Sequence, residues 1–233
     1  PRATADLAPS RDRRPVVVLD PGHGGVDPGA MTGGVAEKDI VFAFADRLRR
    51  RLEAGGRYRV VMTRDHDVFI ALADRVAIAR AAGADLFVSI HADSISGQPQ
   101  VRGLTVYTGA ERASDAESAR LADRENQADA AGGVEGAEKS DEVADILLDL
   151  TARETRGFSH RFARTLVSSG FRVLRAHDVP SVLVELGYLS SKKDIDLLLS
   201  DEWRDKTTTV MAGAIDRYFS TRLANGGGAP VSP

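Results

Sequence analysis

The 233-residue chain contains no cysteine. That excludes disulfides and thiolate ligands, so any metal held here must sit on nitrogen and oxygen donors. Long apolar runs are missing too: no stretch approaches the roughly 18 residues that mark a membrane-spanning helix. Pro1 to Arg14 is polar and lacks the apolar core of a signal peptide. Nor is there an excess of positive charge. The net charge is −3, which argues against a nucleic-acid partner, because such domains carry a basic face. What the chain does have is 42% hydrophobic content, enough for a full core in one domain.

Short apolar runs of strand type alternate with helical patterns. Val16-Val17-Val18-Leu19, residues 58–63, 85–90 and 103–108, and Ser181-Val182-Leu183-Val184 read as strands. Helices are expected over 37–53, where Ile40, Phe44 and Leu48 fall at helical spacing, over 71–82, and over 203–223. This alternation predicts a single α/β domain over residues 15–222, its sheet covered by helices on both faces. Residues 1–14 and 223–233 read as flexible tails.

Residues 111–154 differ from the rest, with 13 acidic and 5 basic side chains. Gly132-Gly133 divides this segment into helical stretches over 113–131 and 140–153. The second carries a narrow apolar stripe of Val143, Ile146, Leu147 and Leu150. A solvated surface excursion and a lid or partner-binding element both fit this composition.

The chemistry lies at the strand ends. His23 follows the first strand in Asp20-Pro21-Gly22-His23-Gly24-Gly25, and His91 follows the third in Ser89-Ile90-His91-Ala92-Asp93. Functional groups in open α/β sheets collect at the carboxyl ends of strands, so two histidines delivered there could share one metal. Catalytic zinc takes three protein ligands and keeps a position open for water. Glu37, opening the helix after the His23 loop, suits the third ligand, and Glu185, ending the Ser181 strand, suits a general base. Each residue also has a plainer reading. The glycine loop could cradle phosphate, although it matches neither G-x-G-x-x-G nor the P-loop pattern. Glu37 could be a first-turn acid favoured by the helix dipole, Glu185 a buried carboxylate paired with arginine, and either histidine a hydrogen-bonded structural residue. His66, His160 and His177 read as loop or surface residues.

Taken together, Asp20-Pro21-Gly22-His23-Gly24-Gly25, Asp27-Pro28-Gly29-Ala30, Glu37-Lys38, Ser89-Ile90-His91-Ala92 and Val184-Glu185-Leu186-Gly187-Tyr188-Leu189-Ser190 strongly resemble the zinc-dependent N-acetylmuramoyl-L-alanine amidases. The resemblance implies a six-stranded, mostly parallel α/β sheet flanked by helices. It implies zinc on His23, Glu37 and His91, Glu185 as catalytic glutamate, and hydrolysis of the amide joining N-acetylmuramic acid to L-alanine in peptidoglycan. The acidic segment resembles the insertion of the Gram-negative cell-division branch, a helical plug displaced by a LytM-type activator at the septum. That implies a periplasmic setting and an autoinhibitory acidic side chain on the metal, for which Glu125 ranks first and Glu142 second. The chain would then be the catalytic domain cut from a longer protein, and nothing suggests more than a monomer. A zinc peptidase or deacylase acting on another amide is the alternative, with Arg64 and Arg75 available to hold a substrate carboxylate. A peptidoglycan-binding module without activity would be expected to lack at least one of the four site residues.

Overall fold

A computed structural model describes residues 12, 14–95, 97, 100–109, 116–133, 167–169 and 179–225. In chain order the elements are β1 (Val16–Pro21), a two-residue pair β2 (Met31–Thr32) and β3 (Val35–Ala36), α1 (Glu37–Ala54), β4 (Arg59–Met62) and α2 (Leu72–Ala81). After these come β5 (Leu86–His91), β6 (Thr105–Gly109), α3 (Ala116–Asn126), α4 (Ala128–Ala131), β7 (Val167–Ser169), β8 (Ser181–Glu185), α5 (Lys192–Leu198) and α6 (Asp201–Asn225).

The main sheet has six strands in the order β4-β1-β5-β8-β6-β7. Pairing is parallel from β4 to β8, antiparallel between β8 and β6, and parallel again between β6 and β7. The central strands β1, β5 and β8 are buried along their whole length, as β-branched, near-continuous apolar runs must be when both faces are covered.

Strand alternation sorts their side chains into two layers. Val17, Leu19, Leu86, Val88, Ile90, Val182 and Val184 join α1 residues Ile40, Phe44 and Leu48 and α6 residues Ile215 and Phe219. On the opposite face Val16, Val18, Phe87 and Leu183 meet Ala79 of α2 and Leu121 and Ala122 of α3. Each such side chain, once buried, contributes about 1.5–3 kcal/mol relative to exposure.

This layering sets the position of the functional edge. From β1 the chain passes through α1 to β4 on one side, then returns through α2 to β5 on the other. The order therefore reverses between β1 and β5, and a crevice opens there at the carboxyl ends.

Several boundaries differ from the sequence expectation. The helix expected over 113–131 is two helices, broken at Gln127, where Gln127 N bonds back to Arg124 O at 3.0 Å and Ala130 N to Gln127 O at 2.9 Å in tight turns. Within the glycine loop, β2 and β3 form a small hairpin around Gly33 and Gly34, both with positive φ (58° and 83°). The closing helix starts at Asp201 and runs to Asn225, longer than expected. α5 went unpredicted because it has only seven residues; Ser191 caps it, its side chain accepting from Asp194 N at 3.4 Å. The expected helix over 140–153, with Glu142 and its apolar stripe, lies outside the described residues, as do His160 and His177.

Candidate metal centre

Four sequence-predicted residues reach the crevice from separate elements. His23 lies two residues beyond β1, His91 ends β5, Glu185 ends β8 and Glu37 opens α1. His91 and Glu185 are register partners across the β5–β8 pair. His23 is the only non-glycine residue with positive φ (57°) among those described, a conformation that turns the chain sharply back over the strand end. Its ring is fixed from behind by Asp27, with Nδ1 2.8 Å from Oδ2. That contact leaves Nε2 facing the crevice.

The donor atoms converge. His23 Nε2 is 3.2 Å from Glu37 Oε1 and 3.5 Å from Glu125 Oε2. His91 Nδ1 is 3.2 Å from the same Glu37 oxygen and 3.0 Å from the same Glu125 oxygen. Donors about 2.0–2.2 Å from one tetrahedral ion stand roughly 3.3 Å apart, so these four separations leave the donors spaced as a shared ion would need them. His23, His91 and Glu125 offer atoms that all lie within 4.8 Å of one another, with Glu37 beside them. His23 Nε2 is buried and makes no well-directed hydrogen bond to either carboxylate, which leaves that nitrogen aimed into the gap. Glu37 is itself held by Ala92 N on Oε1 (2.8 Å) and Ala30 N on Oε2 (2.9 Å).

Two glycines are required by this crowding. A Cβ on Gly22 would lie 2.3 Å from the His91 ring, and one on Gly29 would lie 2.6 Å from the His23 ring and 2.7 Å from Glu37 Oε2. Neither ring could keep its place beside a larger residue.

The electrostatics are those of a site short of positive charge. Burial disfavours a charged imidazole at His23, yet Glu37, Asp27 and Glu125 override it and raise its pKa to about 10. His91 likewise resists burial and is raised well above its usual value by Glu125 and Glu37. Burial would raise Glu37, but the facing imidazoles of His23 and His91 hold it well below the carboxylate range. For Glu185, burial pushes the carboxyl well above that range; His91 opposes the shift, and Asp93, Glu37 and Glu125 reinforce it. Glu185 Oε2 accepts from Asp93 N at 3.2 Å, while Oε1 is buried and unpartnered among the described residues.

Sequence patterns also match known proteins. Residues 17–217 fit the family model described as N-acetylmuramoyl-L-alanine amidase. AmiC of Neisseria meningitidis, an N-acetylmuramoyl-L-alanine amidase, is 39% identical over 232 residues, covering 92% of this chain and 55% of that protein. AmiA of Escherichia coli, which bears the same description, is 38% identical over 221 residues, covering 88% of this chain and 76% of AmiA. The chain belongs to the N-acetylmuramoyl-L-alanine amidase family. Amidase AmiC2 of Nostoc punctiforme has the same fold, with a TM-score of 0.61 at 32% identity over 88% of this chain and 97% of that one. This family member spans about half the length of the Neisseria relative.

Within this amidase-family fold the two arginines considered as carboxylate binders are already committed. Arg64 donates to Pro21 O, Gly22 O and Lys38 O at 2.9–3.0 Å. Arg75 donates to Asp20 Oδ1 (2.7 Å), Pro21 O (3.0 Å), His23 O (2.9 Å) and Ile70 O (2.9 Å). Both clamp the His23 loop, which removes the feature that kept an exopeptidase reading open. Asp27 and Asp93 support the site without having been assigned a role in it from sequence, and Arg75 and Arg64 support it by clamping its loop rather than by holding substrate. Asp27 was legible as a carboxylate four residues from a histidine on a tight loop, and Asp93 as one two residues beyond His91; the arginines reach in from distant chain positions.

Glu125 belongs to the last turn of α3 and is 6% exposed. Three contacts hold its surroundings in place. Arg124 Nη1 donates to Asp93 Oδ1 at 2.7 Å and to Ser94 O. Asp129 Oδ1 accepts from Leu72 N at 2.8 Å, capping α2, whose own preceding residue Ala71 provides no side-chain cap. Gly132 packs against Phe69, where a Cβ would come within 2.1 Å of the ring. The cavity left between His23, His91, Arg75 and Glu125 measures ≈ 10 Å³, about the space of one water.

Proposed function

We propose that this chain hydrolyses the amide between the lactyl group of N-acetylmuramic acid and L-alanine in peptidoglycan, using zinc, and that α3–α4 holds it inactive. The observation that carries this reading is the meeting of His23 Nε2 and His91 Nδ1 with the same two carboxylate oxygens, of Glu37 and Glu125. Two neutral imidazoles and hard carboxylate oxygens, without thiolates, suit zinc. His23, Glu37 and His91 would hold the ion, and Glu125 would fill the remaining position.

Bound there, zinc supplies Lewis-acid polarisation of the scissile carbonyl and a lowered pKa for water. The protein's part is proton handling and placement. Glu185 accepts a proton from the attacking water and delivers it to the departing nitrogen. Its raised pKa, caused by burial beside other carboxylates, makes it a stronger base towards the water proton than an exposed glutamate. Asp27 keeps Nε2 of His23 turned inward, and Arg64 and Arg75 fix the loop that carries it.

Autoinhibition is supported by Glu125, whose Oε2 stands 3.5 Å from His23 Nε2 and 3.0 Å from His91 Nδ1, where water or substrate would otherwise approach the ion. Residues 111–154 would form the regulatory insertion, displaced by a LytM-type activator during septum splitting. The setting would be the periplasm, with the chain acting as a monomer. Among the described residues no helix is long and apolar enough to cross a membrane.

The test is mass spectrometry of products from purified peptidoglycan digested by zinc-loaded wild-type chain, Glu125→Ala and Glu125→Ala/Glu185→Gln. Stem peptides beginning with free L-alanine, released faster by Glu125→Ala and lost in the double variant, are expected. Zinc-loaded Glu125→Ala that releases none would refute the amidase reading. Equal rates for wild type and Glu125→Ala would refute the plug.

A further inference from the structure

Asp93 has a geometry that anchoring a helix does not explain. Its side chain is 3% exposed and stands beside the general base, its backbone N donating to Glu185 Oε2 at 3.2 Å. Oδ1 accepts from Ser94 N and from Arg124 Nη1. Oδ2 is buried and has no partner among the described residues. Arg124, by contrast, is 46% exposed and reaches in from α3. A buried carboxylate with an unused oxygen is costly unless some state of the protein supplies a donor.

We infer that Asp93 receives the departing nitrogen of the substrate, and that Arg124 stands in for that nitrogen while α3 is docked. This deepens the proposed function and rests on it. The two plug residues are adjacent in sequence and imitate the two ends of the scissile amide. Glu125 puts an oxygen against His23 and His91, and Arg124 puts a charged N–H against Asp93. In the reaction, the lactyl carbonyl carbon gains the water oxygen as its bond to nitrogen breaks. One water proton passes through Glu185 to nitrogen, and the other leaves as the new carboxylic acid ionises. The freed α-amine of L-alanine takes up a proton and becomes an ammonium. Asp93 accepts from the amide N–H before cleavage and pairs with the ammonium after it. A carboxylate at this point holds the leaving group in reach of Glu185 and selects substrates whose amide nitrogen carries a hydrogen.

The experiment uses the full zinc-loaded chain with Arg124→Ala as the background, so that any loss of the helix anchor is already present. Asp93→Asn is added because it keeps the volume and the acceptor for Ser94 N; zinc content and melting temperature verify that both variants are folded and loaded. Calorimetry measures binding of an L-alanine-first stem peptide with a free α-amine and of the same peptide N-acetylated. Kinetics measures release of that peptide from peptidoglycan. Adding Asp93→Asn is expected to weaken the free-amine peptide and lower kcat by about ten- to hundredfold, the range for losing a charge-assisted hydrogen bond. Affinity for the N-acetylated peptide should stay unchanged. If kcat and free-amine affinity both stay within about twofold, Asp93 serves only to anchor Arg124 and the inference is overturned. If adding Glu125→Ala to this background still gives no cleavage of the muramoyl amide, the proposed function falls, and this inference with it.

Discussion

Replacing Asp20 by asparagine should destabilise the protein more than any exposed substitution. Asp20 is fully buried and accepts from Thr63 Oγ1 at 2.6 Å, Arg75 Nη1 at 2.7 Å and Ser89 Oγ at 2.8 Å. Asparagine keeps the shape and removes the charge, which leaves the buried Arg75 guanidinium without its counter-ion. Breaking one side of such a pair costs about 3–5 kcal/mol. In a domain of this size that lowers the melting temperature by roughly 6–20 °C, at 2–4 °C per kcal/mol. The loss should depend on pH. Burial acts to raise the Asp20 pKa, but Arg75, Thr63 and Ser89 override it and lower it. A depressed carboxylate adds stability that is present above its unfolded value, near 3.9, and lost as pH falls through its folded value. The gap between wild type and Asp20→Asn should therefore hold steady from about pH 5 to 8 and narrow below about pH 4. Thermal unfolding followed by circular dichroism measures both quantities. A double variant with Arg75→Met should lose less than the two single losses combined, because the pair is coupled. A melting shift under about 2 °C at neutral pH, or strict additivity, would refute this account of the network.

Other consequences can be checked with the same protein. Asp27→Asn removes the carboxylate that orients His23, so zinc affinity measured by competition with a chelating dye should fall about 10- to 100-fold. Gly132→Ala forces a Cβ into the Phe69 ring; basal release of stem peptide should rise, and unchanged basal activity would show that α4 does not help to hold α3. In chelator-treated protein the His23 pKa of about 10 means an imidazolium at pH 7, whose stabilising effect is lost as pH rises through 10. Zinc entry must then expel protons. Calorimetry in buffers of different ionisation enthalpy should report proton release at pH 7, about one per ion from His23, and zero release would contradict the charge state of His23.

Much of the site was legible because local patterns and topology agree. An apolar run followed by Pro-Gly-His announces a strand end, and parallel strands deliver such ends to one edge. His23, His91 and Glu185 could therefore be grouped before any contact was known, and Glu37 followed from its place at the start of α1. The position of Glu125 was less legible. Composition marked residues 111–154 as unusual, but thirteen acids look alike in a sequence, and only the docking of Leu121 and Ala122 on the sheet turns one of them inward. The parts that Asp93, Arg64 and Arg75 play were hidden for a related reason. Their partners lie on distant stretches of chain, and a charged residue on a helix or loop normally reads as solvated. The break at Gln127 was missed because nothing in Arg124-Glu125-Asn126-Gln127-Ala128 forbids a continuous helix.

Asp129 gives the α3–α4 segment a second occupation. By capping α2 it supports the helix from which Arg75 reaches back to the carbonyl of His23. Lifting the segment away strips a helix of its cap, at a cost of about 1 kcal/mol, and bares the face of Phe69. With the segment acting as the proposed plug, the open form would be slightly poorer as a folded object than the closed one, and the segment would behave like a sprung door. An activator that opens it would then have to stay in contact throughout, and activity should cease when that contact is released, without any further signal.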